Sequence, residues 1–360
     1  MVSMYSRIVI KVGTNVLTDN KGGLDHTRIG HLVEQIAAIR RMGCEVIVVT
    51  SGAVGAGRAI MGGDIATETI ADKQVYAAVG QVALMNVYTE HLAHHGIRSA
   101  QILVTKEDFR DRVHYRNMET CFLNVLRDNV VPIVNENDVV AVKELIFTDN
   151  DELAGLVALQ LDVDAVCILS SVEGVIAGDI SDPHAHVIPE IRHDALRSAE
   201  AYVTADTSGG GRGGMLTKFA MARKMVSAGI TVYILNGKRD GCVLDIFGGE
   251  PRGTQFVPHK KVSSRKRRIA HGDSLAAGTI VVNRGVVGQI FSDKHVLSLL
   301  PVGIVSASGD FKKGDMVKVA GPEGKVIGCG IVKTDTATVI ALAGQKGGKA
   351  VIHYNDLFIY

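Results

Sequence analysis

The sequence predicts an α/β protein, a three-layer α/β/α sandwich on a mainly parallel sheet, followed by a small C-terminal all-β barrel. Three observations predict it. From residue 5 to about 257, short apolar runs alternate with longer stretches of helical period. Strands separated by helices make βαβ units, which require parallel pairing and helices on both faces. After Pro258 the helical stretches stop, and short strand-like runs punctuated by glycine replace them.

The expected strands of the first part are Arg7–Val12, Glu45–Thr50, Ile97–Val104, Val130–Val134, Ala165–Ser170 and Ile230–Leu235. Between the first two, Ile29, Leu32, Val33, Ile36 and Ile39 recur at helical spacing through His26–Met42, and Gly43 stops the helix. A second long helix runs from about Ala71 to His95 and stops at Gly96. His91 and His95 stand one turn apart on it, and without an E-x-x-H context they read as a solvated helix face. Residues 260–268, KKVSSRKRR, carry six basic side chains and no acid, and read as a linker. The domains are therefore expected at 1–257 and 269–360, joined by 258–268. Expected barrel strands are Thr279–Asn283, Val286–Ile290, Val302–Ser306, Met316–Val319, Val326–Val332 and Ala337–Leu342.

A length of 360 residues exceeds what one hydrophobic core serves, and 46% hydrophobic residues supply two. The net charge of +1 gives no global attraction to nucleic acid or anionic membranes. Five scattered cysteines (Cys44, Cys121, Cys167, Cys242, Cys329) without C-x-x-C spacing read as free thiols of a reducing compartment, with no zinc site. No apolar stretch approaches the roughly 20 residues of a membrane span, and residues 1–10 lack a signal-peptide cleavage site. The expectation is a cytoplasmic protein that does not meet a membrane.

In parallel sheets ligands bind outside the carboxyl ends of the strands. After the first strand, Lys11-Val12-Gly13-Thr14 puts an ammonium beside backbone N–H groups, a phosphate environment. A lysine snorkelling into solvent is the alternative. After the second comes Thr50-Ser51-Gly52-Ala53-Val54-Gly55-Ala56-Gly57-Arg58, whose glycines admit a ligand to the main chain or pack a helix closely. Its order, G-x-x-G-x-G, is not the dinucleotide fingerprint, and no P-loop occurs anywhere. The strand at 130–134 opens into Asn135-Glu136-Asn137-Asp138, and Asp149-Asn150-Asp151 follows. Such carboxylates and amides suit a small molecule bearing an amine. A divalent metal on Asp149 or Asp151 is the rival reading, compatible with the first if magnesium arrives with phosphates. Finally, residues 209–214 hold five glycines in six positions and lead straight into a helix with Leu216, Phe219, Ala222 and Val226 on its apolar face. With Lys218 at its start, this reads as a phosphate cradle of another kind than the P-loop.

The segments IVIKVGTNVLT, VIVVTSGAVGAGR, AAVGQVALM, PIVNENDVV, FTDNDELAGLVA and RGGMLTK resemble the amino-acid kinase family over residues 7 to about 237, and the tail resembles a PUA domain. TSGAVGAGR, and NEND paired with DND, point to the members that phosphorylate the side-chain carboxylate of free glutamate. The resemblance implies ATP with Mg²⁺ as donor, L-glutamate as acceptor, no fixed protein ligands for the metal, and the first step of proline biosynthesis. It implies Lys11 and Lys218 on the transferring phosphoryl group, and Ser51, Gly52, Asn135, Asp138 and Asn150 around glutamate. Gly13, Thr14, Ser170, Ser171, Arg212, Gly213, Gly214, Met215, Leu216 and Thr217 would line the nucleotide, while Asp149 and Asp151 orient the lysines. Proline as feedback inhibitor, a homo-oligomer (dimer or tetramer) and transient contact with glutamyl-phosphate reductase are further expectations.

The chain departs from the family pattern around the nucleotide. Ser170-Ser171 stands where Thr-Asp or Ser-Asp is common, and Gly174–Asp179 with Asp182-Pro183 where G-L-Y-T-A-D-P is common. Thr148 also stands where many members have glycine. Two alternatives stay open: a related kinase for another carboxylate, carbamate or nucleotide, and an RNA-binding or regulatory protein with a degenerate kinase domain.

Overall fold

The computed structural model describes residues 4–19, 22–63, 65–140, 149–178, 185–204, 214–259, 269, 276–291 and 298–359. The chain divides into two compact units, 1–226 with 230–259, and 227–229 with 260–360.

The first unit runs β1 (Arg7–Val12), α1 (Thr14–Leu17), α2 (His26–Arg41), β2 (Glu45–Thr50), α3 (Ala53–Met61), α4 (Ile70–His94), β3 (Arg98–Val104), α5 (Lys106–Arg110) and α6 (Arg112–Arg127). It continues through β4 (Val130–Glu136), α7 (Asn150–Gln160), β5 (Ala165–Ser170), β6 (Ile176–Ala177), β7 (His186–Val187), β8 (Glu190–Arg192), α8 (Leu196–Thr204), α9 (Met215–Ser227), β9 (Thr231–Asn236), α10 (Leu244–Gly248) and β10 (Gly253–Val257). Eight strands form one sheet in the order β3-β4-β2-β1-β5-β9-β10-β8, with β6 and β7 paired apart from it. From β3 to β9 every neighbour is parallel. β10 then runs antiparallel to β9. The chain first builds outward from β1 through β2, then crosses to β5 on its other side. That reversal opens the carboxyl ends of β1, β2 and β5 to a ligand.

The six expected strands all form, three of them with the expected ends. The reversed edge, β10 with β8, was not read from the sequence, since strands of five and three residues carry too short a pattern.

Alternation along β1 decides what the sheet presents on each face. Ile8, Ile10 and Val12 join a core with Ile29, Ile36, Leu84 and Tyr88 of α2 and α4. Lys11 therefore faces the other way, toward α7. That helix is buried from Asp151 to Gln160, apolar from Leu153 to Leu159 and charged only at its first turn, which faces the site.

α3 and α4 cross with their backbones touching. A Cβ on Gly80 would overlap the carbonyl oxygen of Ala53 and the amide nitrogen of Gly57, and one on Gly57 would overlap the carbonyl of Tyr76. Gly57 thus serves helix packing. His91 lies over Gly30, where a Cβ would come 3.0 Å from its ring, so this histidine packs α4 on α2. No group of three metal-ligating side chains occurs among the described residues.

The second unit holds β11 (Gly278–Val282), α11 (Arg284–Phe291), β12 (Ile304–Gly309), β13 (Met316–Ala320), β14 (Val326–Ile331), α12 (Thr336–Leu342) and β15 (Leu357–Ile359). Its strands make a five-stranded sheet in the order β12-β11-β13-β14-β15 around Ile280, Phe311, Val317, Val319 and Ile352. Two segments expected as strands, 286–290 and 337–342, are helices instead. Short apolar runs fit either structure, and caps decide here. Asn283 Oδ1 accepts from the N–H of Val286 at 3.0 Å, and Asp335 Oδ1 from that of Thr338 at 2.8 Å. The basic run 260–268 lies outside the described residues.

Caps also set an acid sensitivity. Hydrogen bonds from Thr69 hold the Asp72 carboxyl below its ordinary pKa, the His114 and Val113 amides do so for Asp111, and the Thr338 amide for Asp335. A depressed folded pKa contributes stability that is complete above the unfolded value, near 4, and lost as pH falls through the folded one. Unfolding midpoints in urea should drop steeply below about pH 4, and Asp111→Asn should flatten that acid limb. Parallel acid limbs for the two proteins would refute this account.

Candidate active site

Three charged side chains converge at the carboxyl ends of the strands. Lys11, next to last in β1, places Nζ 2.7 Å from Asp151 Oδ1, a charge pair rather than an aligned hydrogen bond. Lys218, on the first turn of α9, donates from Nζ to Asp151 Oδ2 at 3.2 Å. The Asp151 side chain is only 1% exposed, so solvent screens little of this arrangement. One carboxylate thereby holds two ammonium groups drawn from residues 207 positions apart in sequence. The site gathers two positive charges that would otherwise repel one another.

Asp149 behaves otherwise, and the expectation that it orients the lysines is corrected. It caps α7, its Oδ1 accepting from the N–H groups of Asp151 at 2.9 Å and Glu152 at 3.1 Å. Its Oδ2 is buried and has no hydrogen-bond partner among the described residues.

Beside the charges lies a cluster of amides. Asn150 Nδ2 donates to the Thr50 carbonyl at 2.6 Å, to Ser51 Oγ at 2.9 Å and to Asn135 Oδ1 at 3.1 Å. Asn135 Nδ2 donates to Gln81 Oε1 at 3.0 Å, and its Oδ1 also takes the Glu136 N–H at 2.9 Å. Gly52 starts α3 in the left-handed region, φ 96°, turning the chain sharply after Ser51 so that the loop faces the site. Asp138 follows in the turn after β4 and is half-buried.

Where the nucleotide was expected, the Gly13 amide donates to the Leu169 carbonyl at 3.1 Å, which ties the β1 loop to the end of β5. Thr14 opens α1, and Ser170 and Ser171 follow at the exit of β5, Ser171 exposed. Gly214, Met215, Leu216 and Thr217 form the entry to α9, with Thr217 Oγ1 donating to the Gly214 carbonyl at 2.8 Å. Arg212 and Gly213 lie outside the described residues, as do Thr148, Asp179, Asp182 and Pro183.

Residues 6–236 match the model of the amino acid kinase family, and residues 278–353 that of the PUA domain. The chain belongs to the amino acid kinase family. Within the family it is 46% identical to a glutamate 5-kinase of Chlorobaculum tepidum, over 99% of this chain and 98% of that one. It is 42% identical to one of Bacteroides thetaiotaomicron over the whole of both chains, and 38% identical to one of Dehalococcoides mccartyi over 99% and 98%.

Two parts of this kinase site escaped the sequence reading. Gln81, in the middle of α4, joins the amide cluster; its segment AAVGQVALM carries part of the family resemblance, but no role was assigned to the glutamine. Lys106 at the start of α5 makes a largely buried 2.8 Å ion pair with Glu152 of α7, one residue beyond Asp151. Gln81 is a lone polar residue in an apolar stretch and Lys106 one charge among several in Lys106–Arg110, and only the fold shows where they point.

Proposed function

We propose that this chain transfers the γ-phosphoryl group of ATP to the side-chain carboxylate of L-glutamate, giving ADP and L-glutamyl 5-phosphate. The observation that carries the reading is the Lys11–Asp151–Lys218 cluster beside the Ser51–Asn135–Asn150 amides. It is supported by near full-length relatives named glutamate 5-kinase. A decayed kinase need not keep two lysines buried on one aspartate.

The acceptor carboxylate, with an ordinary pKa near 4, is already ionised at neutral pH, so no general base is required. One of its oxygens bonds to the γ-phosphorus while the bond to the β–γ bridging oxygen breaks, and that oxygen leaves with ADP. The barrier lies in bringing two anions together, and positioning plus charge compensation lower it. Lys11 and Lys218 compensate charge on the transferring group from a fixed, poorly solvated position. Ser51, Gly52, Asn135, Asp138 and Asn150 hold glutamate, and Asp149 Oδ2 offers an anionic acceptor to its ammonium. Gly13, Thr14, Ser170, Ser171 and the segment from Arg212 to Thr217 line the nucleotide.

Asp151 is occupied by two lysines, and one further carboxylate oxygen does not make a closed metal site. The donor set therefore fits a magnesium ion carried in on the nucleotide, which when bound neutralises phosphate oxygens. Proline as competing inhibitor, a dimer or tetramer, handover of the labile acyl phosphate to glutamyl-phosphate reductase and a cytoplasmic setting complete the proposal. No described helix is long and apolar enough to cross a membrane.

The test is ADP formation from MgATP and L-glutamate, with hydroxylamine trapping the acyl phosphate and L-aspartate as control. Glutamate-dependent ADP and γ-glutamyl hydroxamate are expected. Turnover with another acceptor, and silence with glutamate, would overturn the substrate.

A further inference from the structure

We infer that Gln81 is a positioning residue of the acceptor site, setting the direction in which Asn135 and Asn150 present their amides; this rests on the glutamate-kinase reading. An amide NH₂ has two hydrogens. Three protein acceptors already surround Asn150 Nδ2, so its Oδ1 is turned away from them. One of the three is Asn135 Oδ1, which also takes the Glu136 N–H. Asn135 can keep Oδ1 on that side only if something accepts from its Nδ2, and Gln81 Oε1 does so at 3.0 Å. Reversing Asn135 would set its NH₂ against the Asn150 NH₂ and the Glu136 N–H, donor against donor.

Stability alone does not explain this glutamine. Its residue is 7% exposed, and its Nε2 is buried with no hydrogen-bond partner among the described residues. Burying a carboxamide with one end unsatisfied is unfavourable, so the core gains little from this glutamine on its own account. What only the glutamine supplies is an acceptor at the Asn135 end.

Gln81→Met keeps the length and removes the acceptor; Gln81→Glu keeps an acceptor there. Steady-state kinetics and melting temperature are measured on both with the full-length chain. For Gln81→Met, the KM for glutamate should rise about ten-fold, the loss of one hydrogen bond. Its KM for MgATP should stay within about two-fold, and its melting temperature should change little, because removing the unsatisfied Nε2 offsets leaving Asn135 Nδ2 without its acceptor. Gln81→Glu should keep the glutamate KM within about three-fold of wild type. If Gln81→Met does not fold, Gln81→Leu takes its place with the same split expected. An unchanged glutamate KM in a folded apolar variant, or equal rises in both KM values with a lower melting temperature, would overturn the inference. Wild-type protein that fails to turn over glutamate would overturn the functional reading first, and this one with it.

Discussion

Asp151→Asn should lower kcat for glutamate phosphorylation by about 10²–10³-fold while costing the fold about 3–5 kcal/mol. Both effects come from one geometry. The aspartate, 1% exposed, touches Lys11 at 2.7 Å and Lys218 at 3.2 Å. A buried ion pair adds little net stability when formed, because desolvation offsets attraction. Removing only the anion is different, since two buried ammonium groups then lose the charge that holds them together and repel one another. They will separate, and the charge proposed to face the phosphoryl group loses its position. Lys218→Ala and Lys11→Ala should lower kcat similarly, but with smaller losses of stability, because each leaves Asp151 one cation. The KM for glutamate should move less than kcat in all three, since the amides around Asn150 are untouched. Kinetics and urea unfolding on the set check this. Turnover within a few-fold of wild type in Asp151→Asn would mean that the lysines find their places without it.

How much of this site was legible beforehand follows from what a sequence pattern encodes. Period-2 and period-3.6 alternation gave the parallel strands, and the sheet rule then pointed to Lys11, Ser51, Asn150 and Lys218 because each ends or follows a strand or opens a helix. The family resemblance implied that Asp149 and Asp151 together orient the lysines; that Asp151 alone touches both is contained neither in it nor in the pattern of residues. Asp149 and Asp151 are equivalent on paper; they diverge because the first side chain turns back onto its own helix amides while the second, two positions on, reaches the sheet face bearing Lys11. Gln81 was invisible for a related reason. A polar residue in an apolar helix is read as facing solvent, and here it faces Asn135. In the second unit, two caps turned expected strands into helices, a decision made by one side-chain oxygen each.

The second large effect concerns the glycines where α3 and α4 cross, Gly80 and Gly57, the latter read from the sequence either as admitting a ligand or as packing a helix closely. Alanine normally stabilises a helix interior by about 1 kcal/mol over glycine. At Gly80 the sign should reverse. The added Cβ would overlap the Ala53 carbonyl oxygen and the Gly57 amide nitrogen, and neither backbone atom can swing aside as a long side chain would. α3 and α4 must move apart, so Gly80→Ala should cost about 3 kcal/mol or more and lower the melting temperature by roughly 6–12 °C. Gly57→Ala, meeting the Tyr76 carbonyl, should behave alike. Gly55→Ala is the control in the same helix, because a Cβ there would find nothing nearer than 3.9 Å. It should be neutral or slightly stabilising. The separation also bears on function: Ser51 and Gly52 lead directly into α3, and Gln81 is the residue after Gly80, so whatever Gly80→Ala protein folds should bind glutamate more weakly than MgATP by comparison with wild type. A Gly80→Ala protein as stable as the Gly55→Ala control would show that the two helices are not held in backbone contact.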